Sequence, residues 1–255
     1  MPNIVACFKW VIDEADLKVA AHSRELILDR VSYKISDYDR NALEEAVRLR
    51  EQYGGQVTTV TVGPPGARQS LKDALSRGPD QGCLIADMAF VDLEPSQTAA
   101  ILAAALRSRL EYDLIICGEG SSDLYAQQVG PRLAENLGLP VITYVNKIIL
   151  EENLLIAERR LEDGIEVVSV PLPALVTVLP EINSPRIPGL KQVLAAAKKP
   201  VINLNQKDLG EDFSPLLQTL SIQAAPSERR RLRFGAKGAD LKKVVDALIR
   251  EGVVS

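Results

Sequence analysis

The residues best suited to hold a ligand follow an apolar stretch near the middle of the chain. After Asp113–Cys117 come two glycines and two serines, in the order Gly118-Glu119-Gly120-Ser121-Ser122. Glycine lets the backbone turn tightly and approach a ligand, and the serine hydroxyls add hydrogen-bond donors. A helix expected from Ala126 adds free N–H groups and the positive end of its dipole. The pattern indicates an anion site suited to a phosphate, and a plain strand-to-helix turn capped by serine or aspartate accounts for it equally well.

This loop departs from two common phosphate-binding motifs. Asp123 stands where a G-x-G-x-x-G dinucleotide fingerprint has its third glycine. The Gly-Lys-Ser/Thr end of a P-loop is also missing from this segment, so ATP hydrolysis of the P-loop kind is not indicated.

A second candidate group, Ser36-Asp37-Tyr38-Asp39, precedes the first long helix. The favoured interpretation is structural: Ser36 or Asp37 caps the helix, and Asp39 complements its dipole. The alternative is a second wall of a nucleotide pocket beside the first strand. Lys9 follows that strand and would neutralise a phosphate there, although a lone lysine at a strand end is more often solvated.

Histidine and cysteine are too scarce for most side-chain chemistry. The chain has one histidine, His22, and three widely spaced cysteines, Cys7, Cys83 and Cys117. They form no cluster suited to zinc, and a Ser-His-Asp relay would need His22, which lies in a polar stretch. Cys7 and Cys117 fall on apolar strands, where thiols act as small hydrophobic residues. We therefore expect neither a metal site nor conventional side-chain catalysis.

Charge and hydropathy exclude further classes of protein. Thirty basic and 34 acidic residues give a net charge of −4, which does not suit a nucleic-acid-binding protein. The basic run Arg229–Arg233 is interpreted as a solvated tail rather than a contact to phosphate or to an acidic partner. The longest purely apolar run, Ala99–Leu106, is far shorter than the ~20 residues of a membrane span. Without a signal-peptide pattern after Met1, and with unpaired cysteines, a cytoplasmic location is expected.

The elements that must position these residues alternate between strand-like and helix-like patterns. The predicted strands are Asn3–Phe8, Gln56–Val62, Cys83–Asp87 with Ala89–Val91, and Asp113–Cys117. The predicted helices are Asp39–Tyr53, Arg68–Ser76, Gln97–Leu110 and Ala126–Leu137. This order predicts an α/β fold with a doubly wound, mostly parallel sheet. Ligands of such sheets bind beyond the carboxyl ends of the strands, which is where the loop after Cys117 lies.

The second half of the chain follows a different pattern. An antiparallel hairpin addition is predicted from alternating stretches between turn residues, at Val145–Leu150, Leu154–Arg160 and Gly164–Val170. The later predicted elements are a buried strand Pro171–Val178, a helix Leu190–Ala197 and a last helix Ala239–Arg250. The weak periodicity after about residue 200 indicates an arm that packs on something else.

Several stretches occur together in an order that is typical of one known family. They are Lys9–Asp13, Asp39–Glu51, Asp113–Gly130, Arg159–Val167, Pro171–Thr177, Ile182–Arg186 and Ala195–Pro200. Through them the chain resembles the β subunit of electron transfer flavoprotein, in its Fix-type branch, over nearly the full length to about residue 200. The resemblance implies an adenine-nucleotide-binding, Rossmann-like domain over residues 1–200, with a recognition loop at 182–198. Residues 201–255 would form a C-terminal arm that packs on a partner α subunit.

The resemblance also implies a function. A β subunit of this family pairs with an α subunit that holds the redox-active FAD. The heterodimer carries electrons between acyl-CoA-type or other flavin dehydrogenases and their acceptors. The β subunit itself binds AMP, or a second FAD in electron-bifurcating complexes that use NADH. Such a chain is an electron-carrier subunit whose chemistry belongs to the flavin rather than to its own side chains.

Site residues are carried over from the family by position. The nucleotide pocket would consist of Cys7, Ser36, Asp37, Tyr38, Asp39, Val62, Glu119, Gly120, Ser121, Ser122, Asp123, Leu124, Tyr125, Ala126, Gln127, Gln128, Val129 and Gly130. Lys9 joins this set on the charge argument given above. Partner recognition would involve Arg186 and Leu190, with Leu190 as the apolar anchor, whereas its pattern alone would make it a helix-packing residue.

The chain departs from the family pattern in its nucleotide loop. Many relatives carry Lys-Gln where this chain has Glu119-Gly120. A carboxylate at Glu119 would repel a phosphate, so it is expected to face a ribose or solvent. Many relatives also have Asn-Pro-Phe in place of Ser36-Asp37-Tyr38, which keeps the cap and the aromatic ring. The choice between AMP and a second FAD stays open.

Two other classes compete with this interpretation. A stand-alone adenine-nucleotide-binding regulator of the universal stress type shares the α/β architecture, but the hairpin addition and the stretch at 182–200 argue against it. An adenylating enzyme would need a Ser-Gly-Gly-x-Asp-Ser pyrophosphate motif after the first strand. Cys7-Phe8-Lys9-Trp10 stands there instead.

Overall fold

A computed structural model gives the fold for residues 1–215, 217, 219–226 and 231–254. Numbered in chain order within these residues, the strands are β1 (Asn3–Cys7), β2 (Trp10–Ile12), β3 (Lys18–Val19), β4 (Leu26–Ile27), β5 (Tyr33–Ile35), β6 (Gln56–Gly63), β7 (Gln81–Ala86), β8 (Leu114–Gly118), β9 (Val141–Glu151), β10 (Leu154–Arg160), β11 (Ile165–Pro171), β12 (Ala174–Val178) and β13 (Val201–Leu204).

The helices are numbered in the same way. They are α1 (Asp37–Tyr53), α2 (Arg68–Ser76), α3 (Pro95–Arg109), α4 (Val129–Leu137), α5 (Leu190–Ala196), α6 (Gln206–Leu209) and α7 (Gly238–Arg250). Short 3₁₀ helices span Glu14–Asp16, Pro65–Ala67, Met88–Phe90 and Pro180–Ile182. None of the helices in the described part of the chain is both long enough and apolar enough to span a membrane.

Nine strands form the main sheet, in the order β11-β10-β9-β12-β8-β1-β6-β7-β13. Within this order, the strands β9-β12-β8-β1-β6-β7-β13 all pair in parallel with one another. The pairs β9–β10 and β10–β11 are antiparallel and form the added hairpins. The predicted α/β class, with a mostly parallel sheet, is therefore confirmed.

The central strands β1, β8 and β12 are buried on both faces, which explains their nearly continuous apolar sequences. Ile4 and Ala6 of β1 belong to the core that packs under α1 and α2. Val5 and Cys7, which alternate with them, belong to the core under α3 and α4. Helices on both faces make the sheet doubly wound.

The chain leaves β1 in a way that creates a crevice beside β8. From β1 it passes through α1 to β6 on one side, while β8 pairs with β1 on the other side, with Ile4 opposite Leu114 and Ala6 opposite Ile116. The carboxyl ends of β1 and β8 therefore meet at the point where the strand order reverses. Such a point is the usual ligand position in open α/β sheets.

Several predicted elements differ from the structure. Ala89–Val91 is not a strand, because the Asp87 side chain accepts a hydrogen bond from the Ala89 N–H at 3.1 Å and starts a 3₁₀ turn. The helix predicted from Ala126 begins at Val129. The short strands β2 and β5, which pair with each other, and the edge strand β13 were not predicted.

The described residues group into two compact units. The first comprises Met1–Lys18 and Leu28–Leu220, and it contains the main sheet. The second comprises Val19–Ile27 together with the described residues after Leu220. Within the second unit, the Ala224 N–H donates to the Arg24 carbonyl at 2.8 Å, and α7 has no buried residue. The boundary at residue 200 and the partner of the arm stay predictions, and Arg229 and Arg230 of the basic run lie outside the described residues.

Candidate functional site

The crevice at the ends of β1 and β8 is held together by one buried carboxylate. Asp39, in the first turn of α1, accepts the Lys9 N–H at 2.8 Å and the Gly118 N–H at 3.2 Å. Lys9 follows β1 and Gly118 ends β8, so Asp39 joins two segments that are distant in sequence. The Asp39 carboxylate therefore does more than complement the helix dipole of α1, because it also links the ends of β1 and β8.

The Asp39 carboxyl titrates far from its ordinary range. Burial raises its pKa to about 7, against the lowering effect of the two N–H donors and of the Lys9 charge. The nearby Asp123 carboxylate contributes to this rise. Asp39 is therefore poised to change its charge close to neutral pH.

Gly118 is a glycine because α1 lies so close to it. An added Cβ would lie 2.5 Å from Asp39 Oδ1 and 2.9 Å from the carbonyl carbon of Tyr38. The first turn of α1 and the end of β8 are therefore in direct backbone contact. This contact, rather than the tight turn expected from sequence, is what requires the glycine.

Ser36 links α1 to the loop between β8 and α4 (residues 119–128, the β8–α4 loop). It occupies the N-cap position of α1, but its side chain makes no capping hydrogen bond. Its hydroxyl instead accepts the Ser122 N–H at 3.2 Å, and its own N–H donates to the Lys9 carbonyl at 3.0 Å. The two candidate groups found in the sequence therefore lie side by side.

Lys9 and Asp123 form an ion pair across the same crevice. Lys9 Nζ lies 2.6 Å from Asp123 Oδ2, so the lysine is not simply solvated. Burial on its own would raise the pKa of Asp123, but the hydrogen bonds from Lys9 and from the Ser121 hydroxyl lower it. The Asp123 carboxylate therefore stays charged and pairs with Lys9, the residue that was predicted to neutralise a phosphate.

Glu119 does not face solvent. It is buried, and its Oε1 accepts the Tyr125 hydroxyl at 3.1 Å and the Gln127 side-chain amide. Among the described residues, Glu119 Oε2 has no hydrogen-bond partner. Burial and the Glu119 charge raise the pKa of the Tyr125 hydroxyl, which therefore stays a neutral donor.

The β8–α4 loop folds back on itself through two unusual backbone conformations. Tyr125 has φ 46° and Gln127 has φ 56°, a region that non-glycine residues rarely adopt. The Tyr125 N–H donates to the Ser121 carbonyl at 2.9 Å, and the Tyr125 ring lies over Gly120, where any Cβ would overlap it. These turns delay the start of α4 to Val129, and strain of this kind often occurs at ligand sites.

An open cleft of about 360 Å³ lies beside this loop. Its lining includes Asp37, Tyr38 and Asn41 of α1 and Ser121, Ser122 and Tyr125 of the loop. The Tyr38 and Tyr125 rings lie 5.1 Å apart between centroids. Within the described part of the chain, the buried Ser122 hydroxyl has no hydrogen-bond partner. Aromatic rings and a carboxylate acceptor around such a cleft are groups that suit the base and the ribose of a nucleotide.

The remaining predicted pocket residues surround the loop. Cys7, the last residue of β1, and Cys117, the last but one of β8, are buried thiols, and their mutual hydrogen bond together with burial raises the pKa of Cys117. Val62 lies near the carboxyl end of β6. Leu124, Ala126 and Gln128 are exposed on the loop, Val129 opens α4, and a Cβ on Gly130 would overlap the Thr177 methyl of β12.

The two residues predicted for partner recognition lie elsewhere. Arg186 is not a free surface arginine, because it is paired with Glu44 and Glu51 on later turns of α1. Leu190 begins α5 and is largely exposed. Arg186 is therefore paired with other residues of this chain, whereas the Leu190 side chain is exposed to solvent.

Sequence reasoning did not single out three buried polar residues of α1. Asn41, Glu44 and Glu45 are buried, and all three contact the segment at 180–186. Their spacing puts them on one helical face, which is a polar stripe on a helix that otherwise packs on the sheet. This polar stripe was the sequence feature from which a contact of α1 with another segment could have been predicted.

A protein-family model described as electron transfer flavoprotein domain matches residues 25–209, which is well over half of the chain. The matched range includes α1, the β8–α4 loop and α5, whereas Lys9 lies before it. The match gives no support to a regulator of the universal stress type.

Proposed function

The chain belongs to the electron transfer flavoprotein family, and we propose that it is the β subunit of a heterodimer. Members of this family generally bind flavin and typically work with a partner subunit and with dehydrogenases. In the proposal, an α subunit holds the redox-active FAD. This chain holds an adenine nucleotide, either AMP or a second FAD, in the crevice between α1 and the β8–α4 loop.

One observation carries the proposal. Asp39 fixes the ends of β1 and β8 at the strand-order reversal, and beside it Ser122, which lines an open cleft, has a buried hydroxyl without a partner among the described residues. A buried polar atom without a partner is costly, and a bound ligand removes that cost. The position agrees with the general ligand site of open α/β sheets.

Particular residues would hold the adenosine monophosphate unit, which AMP and FAD have in common. The first N–H groups of α4, at Val129 and Gly130, have no acceptor within the helix and suit a phosphate. Ser122 would donate its hydroxyl. Asp37 would accept from a ribose hydroxyl, and the rings of Tyr38 and Tyr125 would pack on the base.

The flavin of the α subunit would supply the redox chemistry. This chain would bind, orient and dock, with no bond made or broken by its own side chains. The exposed Leu190 would be the apolar anchor offered to an acyl-CoA-type or other flavin dehydrogenase, and the C-terminal arm would pack on the α subunit. Free thiols at Cys7, Cys83 and Cys117 suit a reducing compartment, so the proposed complex belongs in the cytoplasm.

Co-expression with the cognate α subunit tests the proposal. We expect a yellow heterodimer, whereas this chain alone lacks the redox flavin. FAD and AMP are then counted after denaturation: one FAD with one AMP indicates a single-flavin carrier, and two FAD without AMP indicates a complex able to bifurcate electrons.

A matched pair of serine variants tests the nucleotide site. Ser122→Ala should weaken retention of AMP or of the second FAD, because Ser122 lines the cleft and its hydroxyl has no partner among the described residues. Ser108→Ala removes a hydroxyl that donates to the Ala104 carbonyl on α3, and it should retain the nucleotide like wild type. A colourless monomer that ignores its cognate α subunit would refute the proposed function.

A further inference from the structure

The recognition loop (residues 182–198) is fastened at both ends and open in the middle. The α1 clamp joins Asn183 and Arg186, near its start, to Asn41, Glu44 and Glu51 of α1. The α2 clamp joins Lys199, just after its end, to backbone carbonyls at the end of α2. Both clamps lie within the compact unit that contains the sheet.

The amide part of the α1 clamp is reciprocal. Asn41 Nδ2 donates to the Pro180 carbonyl at 2.9 Å and to the Asn183 carbonyl at 2.8 Å. Asn183 Nδ2 returns a hydrogen bond to the Asn41 carbonyl at 3.0 Å and a second to Glu45 Oε2 at 3.0 Å. Side-chain amides paired with backbone in this way fix the path of the chain as it leaves β12.

The ionic part of the α1 clamp centres on Arg186. Its Nε lies 2.7 Å from Glu44 Oε2, and its Nη1 lies 2.8 Å from Glu51 Oε1. The Arg186 N–H also donates to Glu44 Oε2 at 3.1 Å, and its carbonyl accepts from Arg77 Nη1 at 3.3 Å. Side chain and backbone of one residue are therefore both fixed.

Glu44 is the buried partner of this clamp. Only 4% of its side chain is exposed. Burial on its own would raise the pKa of Glu44, but the hydrogen bonds from Arg186 and Arg48 lower it, so the carboxylate stays charged. A protein docking on the surface cannot contact this carboxylate directly.

The α2 clamp uses a single ammonium group. Lys199 Nζ donates to the carbonyls of Leu75 at 2.9 Å, Gly78 at 3.3 Å and Pro79 at 2.5 Å. These carbonyls end α2 and begin the turn to β7, where a cation is favoured by the helix dipole. The chain after α5 is thereby fixed to the main unit.

Between the clamps the loop presents apolar side chains. Ile187 is 93% exposed, Leu190 is 76% exposed and Leu194 is 63% exposed. Leu190 and Leu194 are one turn apart on α5, whereas Ala196 of the same helix is buried and α5 packs on α2. The exposed side chains therefore stand on a support that is already ordered.

We infer that the two clamps are positioning devices, through which Arg186 and Lys199 set the affinity for a partner flavin dehydrogenase without touching it. This inference rests on the proposed function. Ordering a loop and its side chains at the moment of binding costs affinity, and a loop ordered in advance avoids that cost. Arg186 then acts through Glu44 and Glu51 of its own chain, in contrast to its expected role as a direct recognition residue.

Glu44 separates the two roles of Arg186. If Arg186 touched the partner, Glu44→Gln would leave that contact intact, and the Michaelis constant (KM) for the dehydrogenase would stay at the wild-type value. If Arg186 positions the loop, Glu44→Gln should raise KM just as Arg186→Gln does. The double variant should then be no worse than Arg186→Gln alone, because both changes break the same clamp.

The test uses the full heterodimer, with an acyl-CoA dehydrogenase that reduces the wild-type complex as the electron donor. We expect Arg186→Gln, Glu44→Gln and Lys199→Met each to raise KM for the complex about tenfold, with kcat and flavin content unchanged. Arg186→Lys keeps the charge but cannot bridge two carboxylates, so its KM should be intermediate. Arg159→Gln, which removes an arginine that pairs with Glu166 on the hairpin addition, is the control and should match wild type.

Hydrogen exchange of the α5 amides supplies a second readout that needs no partner. Breaking either clamp should speed this exchange about tenfold. The inference is overturned if exchange rises while KM stays at the wild-type value, or if Glu44→Gln has no effect where Arg186→Gln has one. Leu190→Ala distinguishes failure of the proposed docking role, because an unchanged KM in that variant removes the loop from recognition altogether.

Discussion

The polar groups at the two ends of helix α1 differ in the direction of their pKa shifts and in how fully the neighbouring groups are paired. At its first turn, burial raises the pKa of Asp39 to about 7, and the neighbouring Ser122 hydroxyl has no partner among the described residues. On its later turns, contacts with Arg186 lower the pKa of Glu51 and, against the effect of burial, that of Glu44. The first turn lies beside a hydroxyl without a partner among the described residues, whereas the later turns carry carboxylates that the chain itself pairs.

This difference matches the two kinds of partner that we propose. A small ligand brings its own hydrogen-bonding groups, so the protein can leave donors and acceptors for it to complete. A docking protein binds best to apolar side chains on an ordered support, so the polar groups below them must already be paired. The first turn of α1 thus borders a site whose hydrogen bonds a ligand would complete, and we call it the incomplete end. The later turns of α1 support a loop with polar groups that are already paired, and we call them the complete end.

The largest effect is expected from Gly118→Ala, which changes the incomplete end. A Cβ there would lie 2.9 Å from the carbonyl carbon of Tyr38, so relieving the overlap must move α1 away from β8. We expect a loss of about 2 to 3 kcal/mol in the free energy of unfolding, measured by urea denaturation. AMP binding, measured by calorimetry, should weaken at least ~10-fold, since the cleft borders the same contact.

Gly164→Ala is the matched control, because an added Cβ at that turn meets nothing within 4 Å. Its stability and AMP affinity should both equal those of wild type. Wild-type behaviour of Gly118→Ala would mean that the first turn of α1 is not held tightly against β8, and the comparison would fail at this end.

The next largest effect is expected at the complete end, from Glu44→Gln. Removing the buried carboxylate leaves Arg186 and Arg48 without their shared acceptor. Because Arg186 is one-third exposed, we expect a loss of about 2 kcal/mol rather than the larger values of fully buried pairs. Glu51→Gln removes a half-exposed partner of the same arginine and should cost less than ~1 kcal/mol. Equal losses for the two variants would show that burial does not set the strength of the clamp.

Local patterns were sufficient for the architecture but not for these long-range pairings. The alternation of strands and helices predicted the sheet, and α2 was predicted at its observed bounds. The contact between Asp39 and Gly118 spans 79 residues, and that between Arg186 and Glu44 spans 142. A periodicity of 2 or 3.6 residues carries no information about which polar groups will meet at such separations.

The β8–α4 loop shows a second limit of sequence patterns. Residues 126–128 fit the helical pattern of the segment that follows, so α4 was expected from Ala126. In the structure, Gln127 has φ 56° and α4 begins at Val129. Positive φ at a tyrosine and a glutamine is set by contacts with Glu119, which tertiary folding brings into place.

The pH dependence of stability should differ in sign between Asp39 and Glu44 of α1. The folded-state pKa of Asp39 is about 7, above its unfolded value of about 4. Folding therefore takes up a proton between these values, and stability falls with rising pH by at most ~1.4 kcal/mol per pH unit. The lowered pKa of Glu44 acts in the opposite sense, and its contribution is lost as the pH falls.

Asp39→Asn and Glu44→Gln isolate these two contributions. Urea denaturation gives the difference in unfolding free energy between wild type and each variant, at pH values between about 4 and 7 for Asp39→Asn and below about 4.5 for Glu44→Gln. The difference for Asp39→Asn should move in favour of the variant as the pH rises, because the variant has no carboxylate to bury in charged form and none to be repelled by Asp123. A slope of the same sign for both variants would contradict the comparison.

The smallest effect on stability is expected from Asp123→Asn, which tests whether the incomplete end competes with its ligand. The Lys9–Asp123 pair is 45% and 31% exposed, so breaking it should change the free energy of unfolding by less than ~1 kcal/mol. The freed lysine and the lost negative charge should nevertheless strengthen AMP binding a few-fold. Glu158→Gln breaks the Lys147–Glu158 pair on the hairpin addition, which has the same 2.6 Å separation and similar exposures of 55% and 30%. Because that pair lies away from the cleft, AMP affinity should not change there. Weaker AMP binding in Asp123→Asn would mean that the Lys9–Asp123 ion pair shapes the loop for the nucleotide instead of competing with it. The polar groups at the incomplete end would then be paired in a way that favours the ligand, contrary to our inference.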